Sequence, residues 1–318
     1  MSVETATGQP RRTEALAIDG FLIVDKPPGI TSTDVVRRVK RLTGARKVGH
    51  GGTLDPDARG VLLLCLGQAT RFADSALHGA KEYTMTGRLG AATDTYDAAG
   101  QVTVTADAAA VTRSALEEVL PRFRGQIQQV PPMFSALKHE GRRLYRLARE
   151  GIEIERSPRL VTVHRLELRE WAPPEFVLEA ECGRGFYARS LVHDIGVALA
   201  NAAHLSALTR SRTGPFTLEN ATPLDQIGRG ENANDWMRLL YPVDLALEEL
   251  RAMILDPLQQ ERVQHGQALN ASGLGRRGAE AKDREKARAY DREGRMIAVL
   301  EFDASGFSWR PHKVLPSA

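Results

Sequence analysis

VGHGGTLDPDARGVLLLCL, residues 48–66, joins a glycine-rich loop to an unbroken apolar run. Four glycines (Gly49, Gly51, Gly52, Gly60) bracket the short acidic segment Leu54-Asp55-Pro56-Asp57, and the run from Val61 to Leu66 follows. Glycine lets backbone approach backbone or a ligand where a side chain would clash. Pro56 fixes the turn just after Asp55 and removes a donor there. The expectation is a rigid loop that hands the chain into a buried strand, with Asp55 at its tip. A carboxylate so placed is either a turn former bonded to nearby amides or a nucleophile. His50, a lone histidine, is either a packing residue or part of a site. No metal-site, P-loop or serine-triad motif is present to decide between them.

The chain has 318 residues, enough for a large core and for a main domain with a smaller companion. With 42% hydrophobic and 26% charged residues, its composition is that of a globular protein. A formal charge of +3 says little about partners, but charge is unevenly placed. Between Arg122 and Arg149 stand seven Lys or Arg against one acid, Glu140. Such a patch suits a polyanion, or is a solvated helix face. Cys65 and Cys182, the only cysteines, sit in strand-like apolar surroundings. Free buried thiols and a reducing cytosol are expected. The first 18 residues lack an apolar core of signal-peptide length, and no run approaches the ~18–20 apolar residues of a membrane span. A cytoplasmic protein with no membrane partner is expected.

Residues 1–18 read as a disordered tail. Phe21–Val24 reads as a short buried strand ending in the rigid turn Asp25–Gly29. Thr31 with Asp34 marks a helix start, after which Val35, Val36, Val39 and Leu42 face in and Arg37, Arg38, Lys40 and Arg41 face out. Lys81–Gly87 alternates as a strand, and Gly90–Gly100 reads as a polar loop. Ser114 with Glu117 suggests a capping box for a helix lined by Leu116, Val119, Leu120 and Phe123. Gly141–Arg149 has helical spacing with arginines outside. Val161–Trp171 and Phe176–Cys182 read as strands, Gly183–Arg189 as a turn into a helix, and Ser206–Thr213 as a further strand. Strands and helices mix without a βαβ repeat, which predicts an α+β fold with a mixed, largely antiparallel sheet. The predicted division is a main domain over 19–248 and a small β-rich domain over 249–318, with a basic insertion at about 124–156.

Read together, these stretches resemble the TruB-type tRNA pseudouridine synthases. The fingerprint G-H-x-G-x-L-D-P-x-A-x-G-V-L stands at Gly49 to Leu62, and L-x-V-D-K-P-x-G-x-T-S at Leu22 to Ser32. K-E-Y matches Lys81–Tyr83, T-D-T-x-D-x-x-G matches Thr93–Gly100, Q-V-P-P-M-x-S-A-L-K matches Gln129–Lys138, and G-x-Y-x-R-S-L matches Gly185–Leu191. The motifs run in order from about Gly20 to Asn220, and the C-terminal end resembles a PUA-like RNA-binding domain.

The resemblance implies a pseudouridine-synthase core that isomerises the T-loop uridine of tRNA, without cofactor or metal. Asp55 would be the essential carboxylate, attacking the sugar C1′ or the base C6 or assisting a glycal route. Arg189 would be its ion-pair partner, and Tyr83 would stack on the target base. Tyr187 and Leu208 would wall an apolar pocket, and His50 would hold the flipped-out nucleotide. Lys138, Arg142, Arg143 and Arg146 would belong to a mobile insertion that contacts tRNA phosphates. The expected partner is the tRNA T stem-loop, bound by a monomer with no guide RNA or obligate protein partner. Two rivals share these features: a non-catalytic tRNA-binding protein or folding chaperone, and the catalytic subunit of a guide-RNA particle. The chain departs from the family at Gly51, where threonine is usual, and in carrying charge at Asp57 and Arg59.

Overall fold

Val61 to Leu66 offers no polar position to turn toward water, so a strand formed there must be covered on both faces. The structure, a computed structural model, describes residues 18–77, 79–135, 137–229, 235–275 and 279–316. In it β1 (Gly20–Lys26) and β2 (Val48–Gly51) both pair antiparallel with β3 (Arg59–Leu66). Leu62, Leu64 and Leu66 face one core with Leu22 and Val24, while Val61, Leu63 and Cys65 face a second with Phe21 and Ile23. Both sides of the run are therefore buried. The expected tail lies outside the described residues except for Ile18, which packs against the first core.

α1 (Ser32–Thr43) starts at a reciprocal cap between Thr31 and Asp34 and stops at Gly44, whose φ of 66° suits glycine. After α2 (Ala73–Leu77), β4 (Lys81–Leu89) alternates in burial as its sequence does. The polar stretch 90–100 is not all loop, because β5 (Ala91–Thr93) pairs with β6 (Val102–Thr105). α3 (Arg113–Val119) is capped by Thr112, which accepts from Ala115 N, and not by the expected Ser114–Glu117 box. Thr112 lies one residue outside the first turn, where an N-cap must be, whereas Ser114 is already inside the helix.

β7 (Gly125–Gln129) leads into the basic insertion, which corrects the sequence reading. Arg142 and Arg143 form β9 (Arg142–Arg143), paired with β8 (Lys138–His139), and only α4 (Leu144–Arg149) is helical. Met133, Leu144 and Leu147 make a small core of their own. β10 (Arg159–Ala172), β11 (Glu175–Cys182), α5 (Ala188–Ala198), β12 (Ala203–Thr213), β13 (Phe216–Thr217), β14 (Thr222–Pro223) and β15 (Leu240–Tyr241) follow. The main sheet of eleven described strands runs β14-β1-β3-β12-β4-β11-β10-β7, with β2, β13 and β15 at its flanks. It is parallel only where β1 meets β14 and β3 meets β12. Cys65 and Cys182 are buried free thiols, and burial pushes both up to about 12.

A second sheet runs β16 (Arg251–Ile254), β18 (Lys286–Tyr290), β19 (Met296–Asp303), β20 (Ser308–Val314), β17 (Leu269–Asn270), flanked by α6 (Pro257–Gln264). It buries its own cluster, including Val263, Leu300, Phe302 and Trp309. Val299 instead joins the second core of the main sheet. Tyr290 also donates to Asp244 at 2.7 Å, and Lys313 to Arg71 O at 2.6 Å. The fold is thus α+β, mostly sheet, with a β-rich C-terminal unit packed on the main sheet. No described helix is long and apolar enough to cross a membrane.

Candidate active site

β1 takes up the whole of one edge of β3, so β2 and β12 must share the other. Residues 52–58, with Asp55 among them, join β2 to β3 beside that shared edge. Three neighbours hold this loop. From α1, Ser32 Oγ donates to Leu54 O at 3.0 Å and accepts from Leu54 N at 2.9 Å. From the end of β1, fully buried Lys26 donates through Nζ to the carbonyls of Pro27, Ile30 and Pro56 at 2.9, 2.8 and 2.7 Å. From β12, buried Arg210 donates to Val61 O at 2.8 Å and Gly52 O at 3.2 Å. Two buried cations persist here because their donors meet carbonyls. Burial still draws Lys26 down to about 8.

Asp55 Oδ1 accepts from Arg189 Nη2 at 2.9 Å, across 134 residues of sequence. Arg189 is buried and fully engaged. Nη2 also donates to Phe134 O at 2.9 Å, Nη1 donates to Thr95 O at 3.2 Å, and Asp97 Oδ2 stands 3.6 Å from Nη1. Burial raises the Asp55 carboxyl above the ordinary range, Arg189 opposes that rise, and Asp97 adds to it. An opposite charge in contact favours the anion and fixes its direction. Arg189 owes its position to the first turn of α5, which is fastened to the opening stretch of the insertion. Gln129 pairs by side chain with the backbone of Tyr187, and Ser190 Oγ donates to Val130 O at 2.7 Å.

The other predicted residues fall into two groups. Tyr83 and Leu208 are buried on facing strands of one core, Arg210 pairing with Tyr83 and Leu208 with Met85 in register. The Tyr83 ring lies 6.0 Å from that of Phe186. Tyr83 and Tyr187 are both pushed up, by burial first, and both feel the Asp55 charge. His50, on β2, has a buried Nδ1 without a hydrogen-bond partner among the described residues. Burial, then Arg210 and Arg143, lower its pKa. The charge of exposed Arg143, in the insertion, is thus felt at His50. Arg142 instead grips Glu150 at 2.6 Å, Arg146 is exposed, and Lys138 is placed only by its backbone pairing with Arg143.

Lys26, Asp97, Phe186 and Arg210 were not singled out from sequence. Lys26 and Asp97 stand inside stretches that were read as motifs, so the signal was present. Arg210 had none, since a strand arginine gives no hint that its end turns inward. Asp57 and Arg59 are exposed, and Arg59 lies 3.7 Å from Asp25. Gly51 is buried, and a Cβ there would stand 3.1 Å from Leu63 Cδ2. Among the described residues, no group of three or more His, Cys, Asp or Glu could hold a metal ion.

The chain is similar to known proteins. Residues 40–188 match the model for the TruB family pseudouridylate synthase (N terminal domain), and residues 189–248 match that for the tRNA pseudouridylate synthase B C-terminal domain. The tRNA pseudouridine synthase B of Dechloromonas aromatica is 43% identical over 293 residues, covering 92% of this chain and 94% of its own. That of Burkholderia mallei is 42% identical over 295 residues, covering 93% and 94%. Among solved structures, an H/ACA RNP bound to a substrate RNA containing 2'-deoxyuridine is similar at a TM-score of 0.70 and 25% identity, covering 98% of this chain and 93% of that one. The archaeal box H/ACA sRNP Nop10-Cbf5 complex follows at 0.69 and 26%, with coverage of 98% and 93%.

Proposed function

This chain belongs to the TruB family of tRNA pseudouridylate synthases, and from that premise we propose that it isomerises the T-loop uridine of tRNA, with Asp55 the acting carboxylate on a flipped-out nucleotide. The observation that carries the reading is the Asp55–Arg189 pair at 2.9 Å. About a third of the Asp55 side chain is open to solvent while Arg189 is buried, so a substrate can reach the carboxylate but not displace its partner. The reaction breaks the C1′–N1 bond, turns the base and forms C1′–C5, with the C5 proton released to water and one proton taken up at N1. No electrons are exchanged. Attack at C1′, attack at C6 and assistance of a glycal route all require the carboxylate to be ionised, which Arg189 favours.

Tyr83 supplies a ring for the extruded base to stack on, with Phe186 beside it and Leu208 behind. Its raised pKa keeps the phenol protonated, so it can donate but is a poor base at neutral pH. His50, half-buried on β2 just before the Asp55 loop, is read as holding the flipped-out nucleotide. Arg143 and the rest of the insertion, Lys138, Arg142 and Arg146, would meet phosphates, and the β-rich C-terminal unit is read as a PUA-like RNA-binding module. The enzyme is read as acting alone on tRNA, without guide RNA.

The test is tritium release from tRNA transcripts labelled at uridine C5, with wild type and Asp55→Asn compared. One equivalent released per tRNA by wild type, none by Asp55→Asn, and none when the T-loop uridine is replaced is the expected outcome. Release by Asp55→Asn at the wild-type rate would reject the carboxylate's role. Tight tRNA binding by wild type without release would favour a non-catalytic tRNA-binding protein.

A further inference from the structure

The fourteen residues from Val35 to Val48 contain six Lys or Arg and no acid. Val35, Val39 and Thr43 hold the buried face of α1, which leaves Arg37, Arg38, Lys40 and Arg41 around its outer side, with Arg46 and Lys47 just beyond Gly44. Arg37 is paired with Asp34. Arg38, Lys40, Arg41, Arg46 and Lys47 are all exposed, and none has a side-chain hydrogen bond or ion pair among the described residues. Several other exposed arginines of this protein are matched, as in Arg113–Glu117, Arg169–Glu179 and Arg229–Asp225, and those that are not, such as Arg122, Arg146, Arg284 and Arg292, are not gathered on one helix. In the insertion, Arg142 is occupied by Glu150.

A helix that merely faces water gains from opposite charges one turn apart and loses from like ones. α1 places Arg37 and Arg41 one turn apart, with no acid after Asp34 to offset the cations. The helix dipole favours Lys40 and Arg41 in the last turn, and accounts for no more of them. Apart from Arg37, the clustered charge has no partner among the described residues, which points to an external anion. Position identifies which one. The first residue of α1, Ser32, is bonded to Leu54 beside Asp55, and the segment carrying Arg46 and Lys47 runs directly into β2 and His50. The segment carrying the basic face therefore adjoins the candidate site at both ends. The helix is about 18 Å long, room for several phosphates of one strand.

We propose that the outer face of α1 with residues 46–47 binds the phosphate backbone of the substrate RNA next to the reacting nucleotide, as a surface separate from the insertion. The proposal rests on the reading of the protein as a tRNA-modifying enzyme. Phosphate contacts position the strand and carry no base preference. The face thus contributes to affinity and register and leaves the chemical step untouched.

The experiment measures tRNA affinity against salt for wild type and for R38Q/K40Q/R41Q/R46Q/K47Q. Each lost phosphate contact lowers the slope of log K against log salt by roughly 0.7–0.9. The slope is expected to shrink by about 2 or more, with affinity at low salt at least ~10-fold weaker and the two curves converging at high salt. Single-turnover rate at saturating enzyme and thermal melting should match wild type, because the five side chains touch neither the site nor the core. An unchanged slope and affinity overturn the proposal, and so does a loss confined to the single-turnover rate. A wild type that binds tRNA yet releases no tritium would count against the proposed reaction alone, since the slope comparison stands without turnover.

Discussion

Asp55 lies between opposing influences at the scale of single residues. Burial favours its neutral form, and the guanidinium of Arg189 at 2.9 Å favours its anion. The net direction is upward, so the acid limb of activity should lie above the ordinary carboxylate range, with rate lost as pH falls through it. Replacing Arg189 with Met removes the opposing charge and its hydrogen bond and pushes the carboxyl higher. The acid limb of the single-turnover rate should then move up by about one unit or more, with slower turnover at neutral pH. An acid limb that stays where wild type has it would show that Arg189 does not hold Asp55 ionised. The Asp55–Arg189 contact joins two ends of a gap of 134 residues, which no local pattern reveals; only the resemblance to a family brought it into view.

At the scale of elements, the loop bearing Asp55 depends on the close approach of β3 to β12. Gly60 has φ +104°, and a Cβ there would stand 2.3 Å from Arg210 O. Gly60→Ala therefore forces both a strained backbone and a backbone clash, an expected loss of about 2–4 kcal/mol by chemical denaturation. Gly29 also has positive φ, at +84°, but nothing lies within 4 Å of its added Cβ. Gly29→Ala should cost only about 1 kcal/mol. Equal losses from the two would mean that the strand approach is not what requires Gly60. Local structure was well marked in the sequence: the Thr31–Asp34 cap, the alternation of Lys81–Gly87 and the apolar run after Gly60 all appear as read. The insertion was misread because arginines at 142, 143, 146 and 149 satisfy helical spacing, while pairing with Lys138–His139 claims the first two for a strand.

At the scale of the whole molecule, the two sheets share a core. Val299, 3% exposed, leaves the C-terminal cluster to pack with Phe21, Leu63 and Phe216 under the main sheet. Tyr290, pushed up to about 12 by burial and by Asp244, donates to that carboxylate across the same boundary. Val299→Asp would bury a carboxylate without a partner and separate the two units. Thermal unfolding should lose about 3 kcal/mol of stability or more, and a single wild-type transition should split into two. A single transition near the wild-type midpoint would mean that the contact contributes little.

The sequence by itself determined what depends on near neighbours: a strand with no polar face, a capped amphipathic helix, a turn locked by Pro56, and an α+β order of elements. Solvent and backbone geometry act over a few residues, so these marks survive without knowledge of the fold. Tertiary structure alone decided where each charge ends. It brought Arg189 to Asp55, turned Arg210 inward beneath the loop, gave Arg142 a partner in Glu150 and left Arg38, Lys40 and Arg41 of α1 with none among the described residues. Those outcomes follow from which distant surfaces meet when the chain closes, and a charge has no periodicity that records its partner.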